Sequence, residues 1–280
     1  MRQAGERVGP FELVEAITLG DRRERWRAIQ VDQRRPVTLW RADWLDDEPA
    51  RAAALTALST LRDAVDESLV PIDGIDCFDG ACWAWTEPFS GSPLKDSLPR
   101  GGFEGASLLD HARRLSQALA AAHAAGLSHR ELNPDSLWQL DDGRLRIHGC
   151  GLSGTAEGVD EAVEPDEAPT ITMTYDGADG QAAFLAPEQI KDLPLDARTD
   201  VYSIGALLYW LATGRPPFRG ESQADILVAV LCDTHRPATD LKHDVPPELA
   251  SAIDRCLSKE RSDRFSSAEE LSAVIEAITL

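Results

Sequence analysis

A chain of 280 residues, 43% hydrophobic and 27% charged, can bury a sizeable core as one large domain or as two lobes. Its formal net charge of −20 argues against nucleic acid and anionic membrane surfaces as partners, because both select basic faces. No segment approaches the ~20 apolar residues of a membrane span, and the N-terminal MRQAGERVGP has no apolar signal core, so no membrane insertion is expected. Cys77, Cys82, Cys150, Cys232 and Cys256 are odd in number and scattered. They suggest neither a disulfide framework nor a zinc site, and reduced thiols in a cytoplasmic protein are the expectation.

In chain order, short β-rich patterns come first: Phe11-Leu13, Trp26-Ala28, Val37-Leu39 and Cys82-Trp85, each between turn residues. The Ala-rich stretch from Pro49 to Ala64 predicts a helix, with Pro49 suited to its first turn. From Ser107 the pattern turns helical. Leu108, Leu115, Leu119 and Ala122 share a stripe, and Gly126 supplies a stop. Of the residues from Glu157 to Glu167, six are acidic, which with Pro165 and Pro169 predicts a mobile loop. Val201 to Thr213 is apolar nearly all round, as in a helix at the centre of a lobe, and ends at Gly214. Ser266-Ser267-Ala268-Glu269 reads as a capping box ahead of Leu271, Val274 and Ile278. Pattern alone thus suggests a small β-rich lobe followed by a larger helical one.

Four strings in register carry a more specific message. They are HRELNPDSL (His129 to Leu137), FLAPEQ (Phe184 to Gln189), RTDVYSIGALLYWLATGRPPF (Arg198 to Phe218) and DRFSSAEEL (Asp263 to Leu271). Together they resemble the catalytic loop, Ala-Pro-Glu segment, central helix and final helical region of a bacterial-type serine/threonine protein kinase domain. The resemblance implies an α+β bilobal fold, with an N-lobe over residues 1–88 and a C-lobe over residues 89–280. An activation-segment-like acidic loop would occupy residues 152–188. It also assigns architectural roles: Glu188 pairs with Arg264, Asp200 holds the backbone of the catalytic loop, and His129 and Arg130 belong to that loop.

Set on the same pattern, the residues for phosphoryl transfer are replaced. That chemistry depends on positioning and charge cancellation, so its required groups are few. The glycine-rich loop falls on Thr18, Gly20 and Arg23, retaining one glycine of three. Val37-Thr38-Leu39-Trp40 places Trp40 where the phosphate-binding lysine belongs. Arg41 should face away from the cleft, because strand side chains alternate. No lysine precedes Lys95, and no glutamate lies between Pro49 and Arg62 to partner one. Glu131 replaces the catalytic aspartate, Asn133 the nearby lysine, Ser136 the metal-binding asparagine and Gly149 the metal-binding aspartate. Gln181 takes the place of a threonine in the substrate-docking loop, and His148, beside Gly149, is read as a packing residue. The ceiling of the adenine pocket becomes Arg25 and its floor Trp138, while Thr86, Glu87 and Phe89 supply the gatekeeper and hinge.

The expectation is therefore a pseudokinase: no catalytic residue, no metal, no cofactor, no Mg-ATP, and another protein as partner. A weak atypical kinase using Glu131 as base, and a metal-independent nucleotide sensor, are the alternatives. Thr170, Thr172 and Thr174 are candidate phosphoacceptors, with Arg130 to receive the phosphate, against the plainer reading of a solvated acidic loop.

Overall fold

The computed structural model describes residues 2–18, 24–41, 52, 69–70, 72–88, 91–141, 143–148 and 181–279. Its first part is an antiparallel sheet of β1 (Arg7–Val8), β2 (Phe11–Thr18), β3 (Arg25–Gln30), β4 (Arg35–Arg41), β5 (Gly74–Phe78) and β6 (Ala81–Thr86), in the order β1-β2-β3-β4-β6-β5. Alternation sorts the side chains of this sheet into two faces. Phe11, Leu13, Trp26, Ala28, Val37, Leu39, Ala81 and Trp83 close one apolar cluster. Ile75, Cys82 and Ala84, which point the other way, join the larger core shared with the helices. The four predicted strand segments all lie within these strands.

β5 is not among the strands expected from the sequence, although its turn is legible there. Asp79 and Gly80 both have positive φ, at 53° and 76°, the conformation of a two-residue hairpin turn that Asp-Gly favours. This turn sets the register Phe78↔Ala81 and hence Cys77↔Cys82. The two cysteines are directly opposed and joined as a disulfide. The expectation of reduced thiols is corrected at this pair, because spacing in sequence says nothing of strand register. Cys232 and Cys256 are free.

The second part is helical, apart from the small sheet β7 (Ser92–Pro93), β8 (Leu137–Gln139) and β9 (Leu145–Ile147). Its main helices are α1 (Gly105–Ala124), α2 (Ala197–Thr213), α3 (Gln223–Cys232), α4 (Pro247–Cys256) and α5 (Ala268–Glu276). α1 buries Leu108, Leu115, Leu119 and Ala122 on one face, against α2 and α5. Gly126, at φ 77°, follows its end. α2 is buried on all sides and stops where Gly214 adopts the left-handed conformation. Gly205 inside α2 would cost stability as a helix residue, about 1 kcal/mol against alanine. It is nonetheless required for close packing, because a Cβ there would sit 2.3 Å from the Cβ of Cys256 on α4. The cap of α5 is one residue later than predicted. Ser267 accepts the Glu270 N–H, and Glu270 Oε2 accepts in turn from the N–H and hydroxyl of Ser266. The predicted helix from Pro49 to Ala64, Ala52 apart, and the acidic run lie outside the described residues. Among the described residues no helix is long and apolar enough to cross a membrane.

Candidate functional site: the cleft between the lobes

The cleft is built from the face of the sheet that does not join the apolar cluster. On β4, Val37 and Leu39 point into that cluster, so Thr38 and Trp40 must point the other way. Trp40 is 8% exposed and lies opposite Arg25 of β3 on one side and Ala84 of β6 on the other. Arg41 turns away from the cleft and pairs with Glu24 at 3.4 Å. Thr38 lies opposite Thr86, and both are buried. The Thr86 hydroxyl donates to the Glu87 carbonyl at 3.3 Å, and the Glu87 carboxylate pairs with Arg35 at 2.7 Å.

Arg25 crosses to the helical lobe. Its guanidinium carbon lies 5.8 Å from the centre of the Trp138 ring, and its Nη1 lies 2.9 Å from His148 Nε2. The His148 ring is 6.3 Å from the rings of both Trp40 and Trp138. Ceiling and floor of the cleft are thus in mutual contact. His148, expected as a packing residue, is buried and also forms the polar centre of this cluster. Its Nε2 faces both Arg25 and, at 2.6 Å, the Asp135 carbonyl. Burial, and secondarily the Arg25 charge, push the His148 pKa down to about 3, against the pull of the Asp135 carbonyl, so the ring is neutral. A neutral imidazole nitrogen either donates or accepts, so Nε2 serves one of these two partners at a time. Burial also draws the Arg25 pKa down, while the Asp135 charge opposes that shift.

The loop below the cleft is held by Asp200, which is fully buried near the start of α2. Its carboxylate accepts the N–H of His129 at 2.7 Å, that of Arg130 at 2.6 Å, and His123 Nε2 at 3.0 Å. Burial alone would raise its pKa; the bonds from His123 and the His129 N–H hold it below the ordinary carboxylate value. These bonds fix Arg130 at a positive φ of 59°, a strained conformation for a long side chain. The Gln189 amide donates to the Arg130 carbonyl, and the His129 ring donates from Nε2 to the His148 carbonyl at 2.9 Å.

The side chains of Asn133 and Ser136 are both occupied by the backbone of their own loop. Asn133 Oδ1 accepts the Asp135 N–H at 2.8 Å and its amide donates to the Glu131 carbonyl at 2.8 Å. The Ser136 hydroxyl accepts the Asn133 N–H at 2.9 Å and donates to its carbonyl at 2.6 Å. With Pro134 as the first residue, this is a capping box for the single 3-10 turn Pro134–Ser136. Asp135 connects three elements: one carboxylate oxygen pairs with Lys95 at 2.6 Å and the other accepts from Gln181 at 2.6 Å. The Lys95 contact was not anticipated from the sequence, in which nothing links residues forty apart.

Away from the cleft, Glu188 and Arg264 form a bidentate pair at 2.7 and 2.9 Å, both residues 2% exposed. Thr199 donates to Glu188, and Arg264 donates to the carbonyls of Ser258, Arg198 and Lys259. Among the described residues no group of His, Cys, Asp and Glu is arranged to hold a metal ion. Gly20, Phe89, Gly149, Thr170, Thr172 and Thr174 lie outside the described residues.

This two-lobed arrangement is the protein kinase-like fold, and the family profile described as "Protein kinase domain" matches residues 72–274. The chain belongs to the protein kinase family. It is 34% identical over 193 residues to the serine/threonine-protein kinase PknL of Mycobacterium tuberculosis, covering 69% of this chain and 46% of that protein. It is 31% identical over 186 residues to a probable serine/threonine-protein kinase of Clostridium acetobutylicum, covering 66% of this chain and 27% of that one. The matched region is thus under half the length of these relatives. The crystal structure of the Mycobacterium tuberculosis PknI kinase domain superposes with a TM-score of 0.66 at 18% identity, over 99% of each chain.

Proposed function

We propose that this protein kinase-family domain is catalytically inactive and serves as a protein-binding signalling or scaffolding module. The observation that carries the reading is Trp40. The strand position facing the cleft, where a kinase of this family presents a lysine to phosphate, presents a buried indole packed near His148. An indole carries no charge to offset that of a phosphate. The residues present do not fit Mg-ATP: Arg25 and Trp138 meet across the space an adenine needs. Asn133 and Ser136, at the positions that serve phosphate and metal, spend their side-chain polar atoms on the backbone of their own loop. With chemistry removed and the architectural bonds of Asp200 and Glu188 in place, the surface of the fold is left as the functional part.

Thermal unfolding with nucleotide tests this. A ligand at 100 times its Kd stabilises the native state by about 2.7 kcal/mol, worth about 5–10 °C in a domain near this size. Millimolar Mg-ATP is expected to move the melting temperature by less than about 1 °C relative to Mg²⁺ alone. A shift of several degrees that requires ATP contradicts the reading.

A further inference from the structure

The cluster in the cleft does more than exclude a ligand, because its members come from different lobes. Arg25 belongs to β3 of the sheet, whereas Trp138 belongs to β8 and His148 follows β9 in the helical lobe. In a two-lobed domain with an open cleft, a bound molecule touching both walls is what favours closure. Here one side chain touches both. The Arg25 guanidinium lies over Trp138, reaches His148 and is attracted by Asp135, which Lys95 and Gln181 hold from the helical side. A guanidinium suits this place, since it is planar enough to stack on an indole, donates from several N–H groups and keeps its charge when partly buried. Trp40, opposite Arg25 in the sheet and 6.3 Å from His148, adds an apolar contact beside the polar one. Besides the continuous chain, the described crossings include Leu69 bridging Ile147 and the Val70 N–H donating to the Ile147 carbonyl at 2.9 Å.

We propose that Arg25 is an intramolecular latch which takes the place of a bound nucleotide in holding the two lobes closed. The cleft is then a fixed joint, and any surface spanning both lobes is presented to a partner without a ligand. This inference deepens the reading of an occluded, inactive cleft and rests on it.

The test compares wild type, Arg25→Ala, Arg25→Lys and Trp138→Leu by amide hydrogen exchange and by acrylamide quenching of tryptophan fluorescence, each with and without Mg-ATP. Arg25→Ala is expected to speed exchange in β8, β9 and the Arg25–Gln30 strand roughly tenfold and to raise indole quenching, while α2 exchanges as in wild type. Trp138→Leu removes the partner from the opposite wall and is expected to give the same regional pattern. Arg25→Lys, which keeps the charge without the planar stack, should fall between. Combining Arg25→Ala with Trp138→Leu should add little to either alone. Wild-type exchange at both cleft walls in Arg25→Ala, with α2 protection proving the fold intact, overturns the latch. Nucleotide-dependent protection in wild type overturns the inactive reading instead, and the two failures are read in different samples. Should Arg25→Ala lose protection in α2 as well, the Trp138→Leu and Arg25→Lys patterns decide: uniform exchange across both lobes in these variants also overturns the latch.

Discussion

Replacement of Arg264 by methionine is expected to destabilise the chain by about 3–5 kcal/mol, the range found when one partner of a buried ion pair is removed. The Glu188 carboxylate would be left in the core with Thr199 as its remaining side-chain donor among the described residues. The carbonyls of Ser258, Arg198 and Lys259 would each lose a donor, and Tyr202 the guanidinium that lies 4.8 Å from its ring centre. A domain of this size loses about 2–4 °C of melting temperature per kcal/mol, so a fall of roughly 10 °C is expected. Exchanging both partners, as Glu188→Leu with Arg264→Met, should recover part of the loss by removing the stranded charge. Recovery stays incomplete, because the three carbonyls still lack their donor. Urea unfolding of the two variants measures both effects, and a loss below about 1 kcal/mol for Arg264→Met would assign the pair no structural weight.

Mild acid should act at the cleft, through His148. His148 has a folded pKa of about 3 against an ordinary 6.5, because it is buried and faces Arg25, with His129 pushing more weakly the same way and the Asp135 carbonyl opposing. Below pH 6.5 the unfolded chain takes up a proton that the native state refuses, so stability falls as the pH drops from about 6.5 toward 3. At 1.36 kcal/mol per pH unit, the loss through His148 alone is about 2 kcal/mol by pH 5. Asp200 and Asp196 also have depressed pKa values, but they start from an ordinary 3.8 and so contribute at lower pH. Urea midpoints at pH 7 and pH 5 separate these groups. His148→Gln is expected to flatten the slope between those values, whereas an unchanged slope would assign it to other residues.

Local periodicity made much of this fold legible. The strands at Phe11, Trp26, Val37 and Cys82 and the all-apolar α2 follow from alternation or helical spacing, which each segment carries within itself. The elements missed are those whose signal is short or shared. β8 and β9 are three residues each, too brief to alternate convincingly. β5 and the Cys77–Cys82 bond both hang on the register that the Asp79-Gly80 turn sets, which periodicity within one segment does not carry. Asn133-Pro134-Asp135-Ser136 stands where catalytic groups are expected, and the same letters spell a cap, a permitted proline and a capping partner. The cleft was half legible. Family spacing placed Arg25, Trp40 and Trp138 around one space, but the contact between Arg25 and His148 spans 123 residues and two lobes. Such a contact depends on how both lobes are set, which no local pattern encodes.

Absence of phosphoryl transfer is measured directly by incorporation of radiolabelled phosphate from ATP into a generic protein substrate and into the chain itself. Wild type should give none above background. Gly149→Asp restores a metal-binding side chain, yet Trp40 still meets the phosphates. Trp40→Lys restores a cation, yet Arg25 and Trp138 still fill the cleft. Even Gly149→Asp with Trp40→Lys and Trp138→Leu leaves the Asn133 and Ser136 side chains bonded to the backbone of their own loop, so at most trace transfer is expected. An inactive domain gives background counts in wild type and in each single variant; robust turnover in wild type or in any single variant would show a working kinase.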